Sequence, residues 1–183
     1  HADTLITLSE LAKLTALSME EVQKDVEELR EQKLVDTFAM RKDTYVWHAD
    51  SKRAAVHTLK NALRTFEEKY PYRYGMKKAE VQMTYFKKVK PNVFDKIVEL
   101  LEEEGEIKRT EEFLGTPEFE ICKDAVYERV SRKILATLKN AKYDFVRYSE
   151  IEFQGKDGAV SDDILNILLE EKEVVKVTDD MYT

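Results

Sequence analysis

Residues 18–38 read SMEEVQKDVEELREQKLVDTF, and this stretch determines which fold class the chain can adopt. Its apolar residues recur at the period of a helix, with about 3.6 residues per turn, at Met19, Val22, Val26 and Leu29. Ser18, followed three residues later by Glu21, is the capping-box pattern that begins such a helix. The apolar run at residues 34–38 then predicts an extended strand directly after the helix.

The sequence around this stretch predicts a helix-turn-helix followed by a β-wing. Residues 8–14 have the pattern of a short helix, and residues 16–18 form the predicted turn. Two predicted strands, residues 34–38 and 44–48, flank the polar loop at residues 41–43. The further helix that usually precedes this arrangement has no counterpart, so we expect this first unit to be incomplete at its N-terminal end.

One pattern of a helix end followed by a strand occurs three times in the chain. It is found at Leu29-x-x-x-Lys33-x-Val35, Leu101-x-x-x-Gly105-x-Ile107 and Leu168-x-x-x-Lys172-x-Val174. The offsets between successive occurrences are 101 − 29 = 72 and 168 − 101 = 67 residues, a spacing that indicates repeated modules of similar size. We therefore predict a mainly α fold with small β-wings, built as three tandem winged-helix modules at residues 1–50, 51–122 and 123–183.

The second predicted module contains three helices, at residues 51–70, at 77–85 and from Pro91 onward. Pro71 ends the first of them, and Gly105 is expected to adopt a left-handed conformation after the third. The wing of this module is predicted as strands 107–109 and 119–122, joined by the loop 111–117.

The third predicted module begins with a helix at residues 125–141 and a short strand at 145–148. Ser161 is expected to cap the next helix. Residues 174–177 and those from Met181 onward would form a wing that is cut before it closes.

Composition excludes several classes of protein. The chain has 183 residues with 43% apolar and 37% charged side chains, and it contains no apolar run long enough to span a membrane. Cys122 is its only cysteine, which excludes disulfide bonds within the chain and favours a cytoplasmic location. His1, His48 and His57 do not have the spacing of metal ligands. Because the first residue is not methionine, we expect the chain to be a piece of a longer protein.

Catalytic motifs are also missing from the sequence. It contains no phosphate-binding Gly-x-x-x-x-Gly-Lys-Ser/Thr run and no pattern that suggests a Ser/His/Asp triad. We therefore predict that the chain is not an enzyme and that it has no catalytic residue, no metal site and no cofactor.

The three helices that would enter a DNA groove in a winged-helix protein are acidic. Residues 19–33 hold six acidic and three basic residues, 91–104 hold five and one, and 162–172 hold four and one. The phosphates on both sides of a major groove would repel such helices. The charge therefore argues against DNA recognition, although the fold class alone would suggest it.

One basic segment interrupts this acidic pattern, at residues 70–90. Its bases are interleaved with Tyr70, Tyr72, Tyr74, Tyr85 and Phe86. Basic and aromatic side chains together suit RNA, through phosphate pairing and base stacking. The candidate RNA or ribosome contacts are Arg73, Lys77, Lys78, Tyr85, Lys87, Lys88 and Lys90. The alternative is that the aromatic residues pack the helix junction and the lysines are only solvated.

Three stretches resemble the winged-helix modules of bacterial selenocysteine-specific elongation factors (SelB). They are FEEKYPYRYGMKKAEV at residues 66–81, VFDKIVELL at 93–101 with GEI at 105–107, and VKVTDDMY at 175–182. In that family a helix ends in a His/Lys-Pro-Leu-Arg-x-Gly type run, which residues 70–75 resemble. Proteins of the family have an N-terminal GTPase body and a C-terminal arm of four winged-helix modules, the last of which binds the selenocysteine-insertion hairpin of the messenger RNA.

The resemblance implies a non-catalytic arm that links the GTPase body, which holds selenocysteyl-tRNA, to the hairpin-binding module. Its partners would be the messenger hairpin and the ribosome, reached through the parent protein, and not a membrane. Because the chain would stop before the fourth module, no RNA-binding residue of the family is carried over. A winged-helix protein–protein adaptor, whose acidic helices bind a basic partner, and a transcriptional regulator are the alternatives.

Overall fold

The computed structural model describes residues 5–141 and 146–183. The described residues are mainly helical and form small antiparallel sheets. They divide into two compact units, one consisting of His1–Thr65 with Gly75–Pro117 and the other of Phe66–Tyr74 with Glu118–Thr183. No described helix is long and apolar enough to cross a membrane.

The first unit begins with a helix pair and a three-stranded sheet. Its elements are β1 Leu5–Thr7, α1 Leu8–Thr15, α2 Met19–Glu31, β2 Val35–Ala39 and β3 Thr44–His48. The capping box predicted at Ser18 and Glu21 is confirmed, since the Ser18 side chain accepts from the Glu21 N–H and Glu21 accepts from the Ser18 N–H. The small core of these elements consists of Leu8, Val22, Val26, Val35 and Val46.

The strand β1 was not predicted from the sequence. It pairs antiparallel with one edge of β3, and β2 pairs with the other edge, so the sheet order is β1-β3-β2. A strand of three residues has no period to detect, and its existence depends on the partner strand about forty residues further along the chain. Thr7 at its end caps α1 in a second capping box, with Glu10.

The rest of the first unit repeats this arrangement after a long helix. Its elements are α3 Ala49–Lys69, β4 Met76–Lys77, α4 Lys78–Tyr85, α5 Pro91–Glu103, β5 Lys108–Thr110 and β6 Phe113–Gly115. The last four residues of α3 belong to the second unit. The sheet order is β4-β6-β5, and all pairs are antiparallel. The helix predicted from Pro91 onward is confirmed as α5, and it buries Val93, Phe94, Ile97, Val98 and Leu101 on one face.

The prediction for the second wing was wrong in its return strand. Residues 119–122 do not form a strand, and β6 lies instead inside the predicted loop, where Arg109 pairs with Leu114. A two-residue turn joins β5 to β6, and Glu111 in that turn adopts a left-handed φ of 52°. No glycine, asparagine or aspartate marks this turn, so the usual hairpin signal is missing from the sequence.

The described residues of the second unit include the end of α3, two further helices and a small sheet. Its elements are α6 Ala125–Ala141, β7 Val146–Arg147, α7 Ser161–Glu170 and β8 Met181–Tyr182, with short 3₁₀ turns at Tyr148–Glu150 and Asp157–Ala159. The bounds predicted for α6 are confirmed, and its neighbours in the core include Ile164, Ile167 and Leu168 of α7. Of the strand predicted at 145–148, Phe145 lies outside the described residues and only Val146–Arg147 is a strand.

Two further predictions for this part of the chain were wrong. Ser161 does not cap α7; it is the first helical residue, and its hydroxyl donates to the Gly158 carbonyl over 3.0 Å. The last hairpin is not cut before it closes, because Val175 and Thr183 exchange two backbone hydrogen bonds of 2.8 and 3.0 Å. Its second segment, β8, also pairs with β7, which lies more than thirty residues earlier in the chain, so β8 is the middle segment of this ladder.

The three aligned helix ends have the same backbone structure. Lys33, Gly105 and Lys172 all adopt left-handed φ values, of 58°, 72° and 60°. In each case the next residue donates to the carbonyl of the aligned leucine, as Leu34 to Leu29, Glu106 to Leu101 and Glu173 to Leu168, over 2.9–3.0 Å. This is the Schellman arrangement that ends a helix. The sequence alignment of the three helix ends is thus confirmed, while the boundaries at residues 50 and 122 stay a prediction.

Candidate nucleic-acid interface

The loop between α3 and β4 is folded around Gly75. Its φ is 141°, and a Cβ added there would lie 2.7 Å from the carbonyl carbon of Leu114 in β6. The backbone of Gly75 therefore packs directly against the wing strand, and no other residue fits that approach. This contact positions Met76 and Lys77 of β4 to pair with Leu114 and Phe113.

Arg73 belongs to the second unit, whereas the five lysines of the basic segment belong to the first. Its Nε donates to Asp163 Oδ1 over 2.8 Å, and its guanidinium lies 4.1 Å from the centre of the Tyr70 ring. With 43% of the side chain exposed, Arg73 remains open to solvent on one side. Its charge is already balanced by a carboxylate of its own unit.

The lysines lie at the two ends of α4. Lys77 and Lys78 stand at its N-terminal end, and Lys87, Lys88 and Lys90 follow its C-terminal end. The eight residues of α4 separate these groups by about 12 Å. Lys78 is half-buried and pairs with Asp95 of α5 at 2.7 Å, whereas Lys77, Lys87 and Lys90 are exposed.

Most of the aromatic residues of this segment belong to the core. Phe86 is 1% exposed and packs against Phe94, with 5.0 Å between the ring centres. Tyr72 is also buried, and burial together with its hydrogen bonds to Asp124 raises the pKa of the Tyr72 hydroxyl to about 12. Tyr85 is half-buried and is the candidate that retains an open edge. Phe86 and Tyr72 are therefore too buried to stack on RNA bases.

A second basic surface lies on α3, and the sequence interpretation missed it. It is a cleft of about 720 Å³ within the first unit, formed by α3, the end of α2 and the segments around Glu104 and Glu106. Its basic side chains are Arg30, Lys33, Lys52, Arg53, Lys60 and Arg64. The signal was present in the sequence, because Arg53, His57, Lys60 and Arg64 recur at helical spacing.

Carboxylates pair with the cations on the inner side of this cleft. Lys52, with 15% of its side chain exposed, contacts Asp36 at 3.0 Å and Glu104 at 2.6 Å. Burial lowers the pKa of Lys52, but its hydrogen bonds with Glu104 and Asp36 outweigh burial, so the pKa is raised. Lys60 pairs with Glu106 at 2.8 Å.

The side chains that could bind a metal or act as a nucleophile have the following surroundings among the described residues. Within residues 5–141 and 146–183, no group of three or more His, Cys, Asp or Glu side chains is placed to hold a metal ion. Cys122 is a half-buried free thiol in the segment before α6, and its N–H donates to the Pro71 carbonyl over 3.0 Å. His57 interacts with Asn61 along α3 and not with a carboxylate.

The fold and the match to known families agree for the middle of the chain. Residues 61–115 hold the end of α3, the helix pair α4 and α5, and the wing strands, which together make a winged-helix region. The same residues match the family described as "Elongation factor SelB, winged helix". The match covers less than a third of the chain. A comparison of the chain with curated proteins found no match.

Proposed function

We propose that this chain is a non-catalytic winged-helix arm of a selenocysteine-specific elongation factor. The match of residues 61–115 to the SelB winged-helix family carries this proposal. The arm would join the GTPase body, which holds selenocysteyl-tRNA, to the module that binds the insertion hairpin of the messenger RNA. Its role is then geometric, because folded modules set the distance between two binding sites and transmit strain between them. Such a protein works in the cytoplasm.

The recurring helix end supports an arm built of repeated modules. Lys33, Gly105 and Lys172 end three helices with the same hydrogen bonds, and each is followed by an extended segment. We propose that the modules are residues 1–50, 51–122 and 123–183. Units of about 60 residues bury little core and gain from contacts with their neighbours.

An ion pair joins the first two proposed modules. Lys52 of α3, in the second, contacts Asp36 in the wing of the first, and it also contacts Glu104 at the end of α5. Lys60, two helical turns further along α3, contacts Glu106 within the second proposed module. All five groups belong to one compact unit. A joint held at Lys52 suits an arm whose length must stay constant.

The lysines at the ends of α4 are proposed as a contact with RNA or the ribosome. The candidates within the first unit are Lys77, Lys78, Lys87, Lys88 and Lys90, with Tyr85 beside them. Arg73, which pairs with Asp163, would contribute only if that pair opens. The exposed faces of the acidic helices α2, α5 and α7 would disfavour RNA.

A protein–protein adaptor is the second candidate, and the surface of α2 favours it. The acidic residues of that helix are all exposed: Glu20, Glu21, Asp25, Glu27, Glu28 and Glu31. An exposed acidic face of this kind suits a basic protein partner. An adaptor would not be required for decoding UGA as selenocysteine, so the following experiment separates the two functions.

The test replaces one glycine in the full-length protein that contains this chain. Gly75→Ala would force a Cβ against the backbone of Leu114, whereas Gly158→Ala meets only Phe153 Cβ at 3.8 Å and serves as the matched control. The readout is a reporter with a UGA codon and the insertion hairpin, compared with the same reporter carrying UGG. We expect Gly75→Ala to reduce UGA decoding at least tenfold and to leave the UGG reporter and GTP binding unchanged. Normal UGA decoding with Gly75→Ala would overturn the proposed function.

A further inference from the structure

The basic cleft on α3 has a charge balance opposite to that of the chain. Six Arg or Lys side chains line it, against the three carboxylates Asp36, Glu104 and Glu106. The whole chain has a formal net charge of −7. Basic side chains are therefore concentrated at this cleft, which calls for a reason beyond solubility.

The pairing within the cleft leaves its outer cations available. Lys52 and Lys60 engage all three of its carboxylates. Among the described residues, the exposed side chains of Lys33 and Arg64 form no ion pair. Arg53 pairs only with Asp50, in an exposed pair one turn away on the same helix, and such pairs contribute little to stability and exchange easily.

Two of the outer cations, Arg53 and Arg64, lie on one face of α3, at positions i and i+11. His57 and Lys60 lie between them on the same face, at i+4 and i+7. Eleven residues of helix span about 16 Å. A duplex presents one phosphate per about 3.4 Å of axis on each strand, so a line of this length faces about five phosphates.

The chemistry of the cleft selects a polyanion over a peptide. Its apolar lining consists of Ala49 and Val56, so an acidic peptide would find no pocket for the buried anchor residues that hold protein partners. No Phe, Tyr or Trp side chain is found among the described residues that line the cleft, and the single imidazole of His57 does not make the row of stacking platforms that single-stranded nucleic acids use. A double helix, recognised through its phosphates and shape, needs neither feature.

We propose that this basic cleft binds the phosphate backbone of a double-helical RNA segment, independently of base sequence. The choice of RNA over DNA rests on the proposed function; the choice of a duplex backbone rests on the cleft itself. Lys33, Arg53 and Arg64 supply the contacts, while Lys52 and Lys60 keep the walls of the cleft in place. This surface is distinct from the lysines at the ends of α4, because it is built on α3 and the end of α2.

The experiment uses the whole chain and a fluorescent 16-base-pair RNA duplex of arbitrary sequence, with anisotropy measured at several salt concentrations. The cleft variant carries Lys33→Gln, Arg53→Gln and Arg64→Gln. The matched control removes three exposed charges from α6, as Arg132→Gln, Lys133→Gln and Lys139→Gln. A third variant, with Lys77→Gln, Lys87→Gln and Lys90→Gln, reports on the surface at the ends of α4. Circular dichroism checks that all four proteins are equally folded.

We expect the cleft variant to lose most of its duplex affinity and the α6 control to retain it. Three lost phosphate contacts lower the magnitude of the salt slope by about 2–3. Unchanged binding by the cleft variant, or an equal loss in the α6 control, would overturn the proposal. Cleft-dependent binding of single-stranded RNA or poly-glutamate in preference to the duplex would overturn it too.

The outcomes separate this proposal from the proposed function. If the cleft variant binds normally while Gly75→Ala abolishes UGA decoding, only the cleft proposal fails. If the cleft variant loses duplex binding while Gly75→Ala decodes UGA normally, the cleft proposal stands and the elongation-factor function fails. A duplex DNA of the same sequence that binds at least tenfold more tightly than the RNA would overturn the choice of RNA.

Discussion

The helices α2, α5 and α7 each end at a residue with a left-handed φ. The cost of a Cβ at that residue can be measured by comparing the stabilities of the glycine and alanine variants at each of the three positions. The positions are Lys33, Gly105 and Lys172, whose φ values lie between 58° and 72°. We expect the glycine form to be more stable than the alanine form at all three. The comparison is made with alanine at each position because lysine also carries a charge that interacts with the helix dipole.

The expected magnitude follows from the local geometry. A Cβ in the left-handed region costs about 1–2 kcal/mol. The greater freedom of glycine in the unfolded chain favours alanine by about 0.4–1 kcal/mol. At Gly105 no neighbouring atom lies within 4 Å of an added Cβ, so no packing change adds to this difference. The glycine form should therefore be more stable by about 1 kcal/mol.

Trp47 provides the assay for positions 33 and 105. It is the only tryptophan, it is 2% exposed, and it lies in the same compact unit as both positions. Its fluorescence during urea or thermal unfolding reports on that unit, and far-UV circular dichroism serves for position 172. A difference of about 1 kcal/mol corresponds to about 2–4 °C in Tm for a chain of this size.

A control of opposite sign comes from the interior of α3. Ala54 is exposed there, and Ala54→Gly should destabilise the first unit by about 0.5–1 kcal/mol. Alanine and glycine of equal stability at positions 33 and 105, together with the expected loss at Ala54, would refute the reasoning. A Cβ at the left-handed position would then cost no measurable stability.

Two further predictions concern the first unit. Gly75→Ala should destabilise it by about 2–4 kcal/mol, as seen by Trp47 fluorescence, because the added Cβ meets the backbone of Leu114; a loss below about 0.5 kcal/mol would show that β6 can move aside. Lys52→Met should destabilise the unit by about 1–3 kcal/mol at pH 7, because Asp36 and Glu104 lose their shared cation. The pKa of Lys52 is raised in the folded state, so its contribution to stability is fully present below the unfolded pKa of about 10.4. That contribution is lost as pH rises through the folded pKa, and the free energies of unfolding of wild type and variant should therefore converge in alkali. Lys24→Met, which removes only an exposed pair, is the control and should change stability at pH 7 by less than about 0.5 kcal/mol. Parallel curves for wild type and Lys52→Met would contradict the assignment.

The sequence alone was sufficient for the helices, because helix formation is governed by local signals. The apolar period, the capping box at Ser18 and the Pro91 start predicted α2 and α5 within about two residues. The aligned helix ends at Lys33, Gly105 and Lys172 were also visible, since a Schellman turn uses only backbone bonds within a few residues.

Only the tertiary structure decided the strands β1, β4 and β6 and the charged surfaces. The strands β1 and β4 have three and two residues and exist through their partners, while the turn at Glu111 carries no sequence signal. The basic segment at residues 70–90 was found in the sequence, but the fold assigns Arg73 to one unit and the lysines to the other. The cleft on α3 needs Lys33 and Arg64, which are distant in sequence, to line one surface. Electrostatic potential depends on distances in space, and a linear sequence does not specify those distances until the chain has folded.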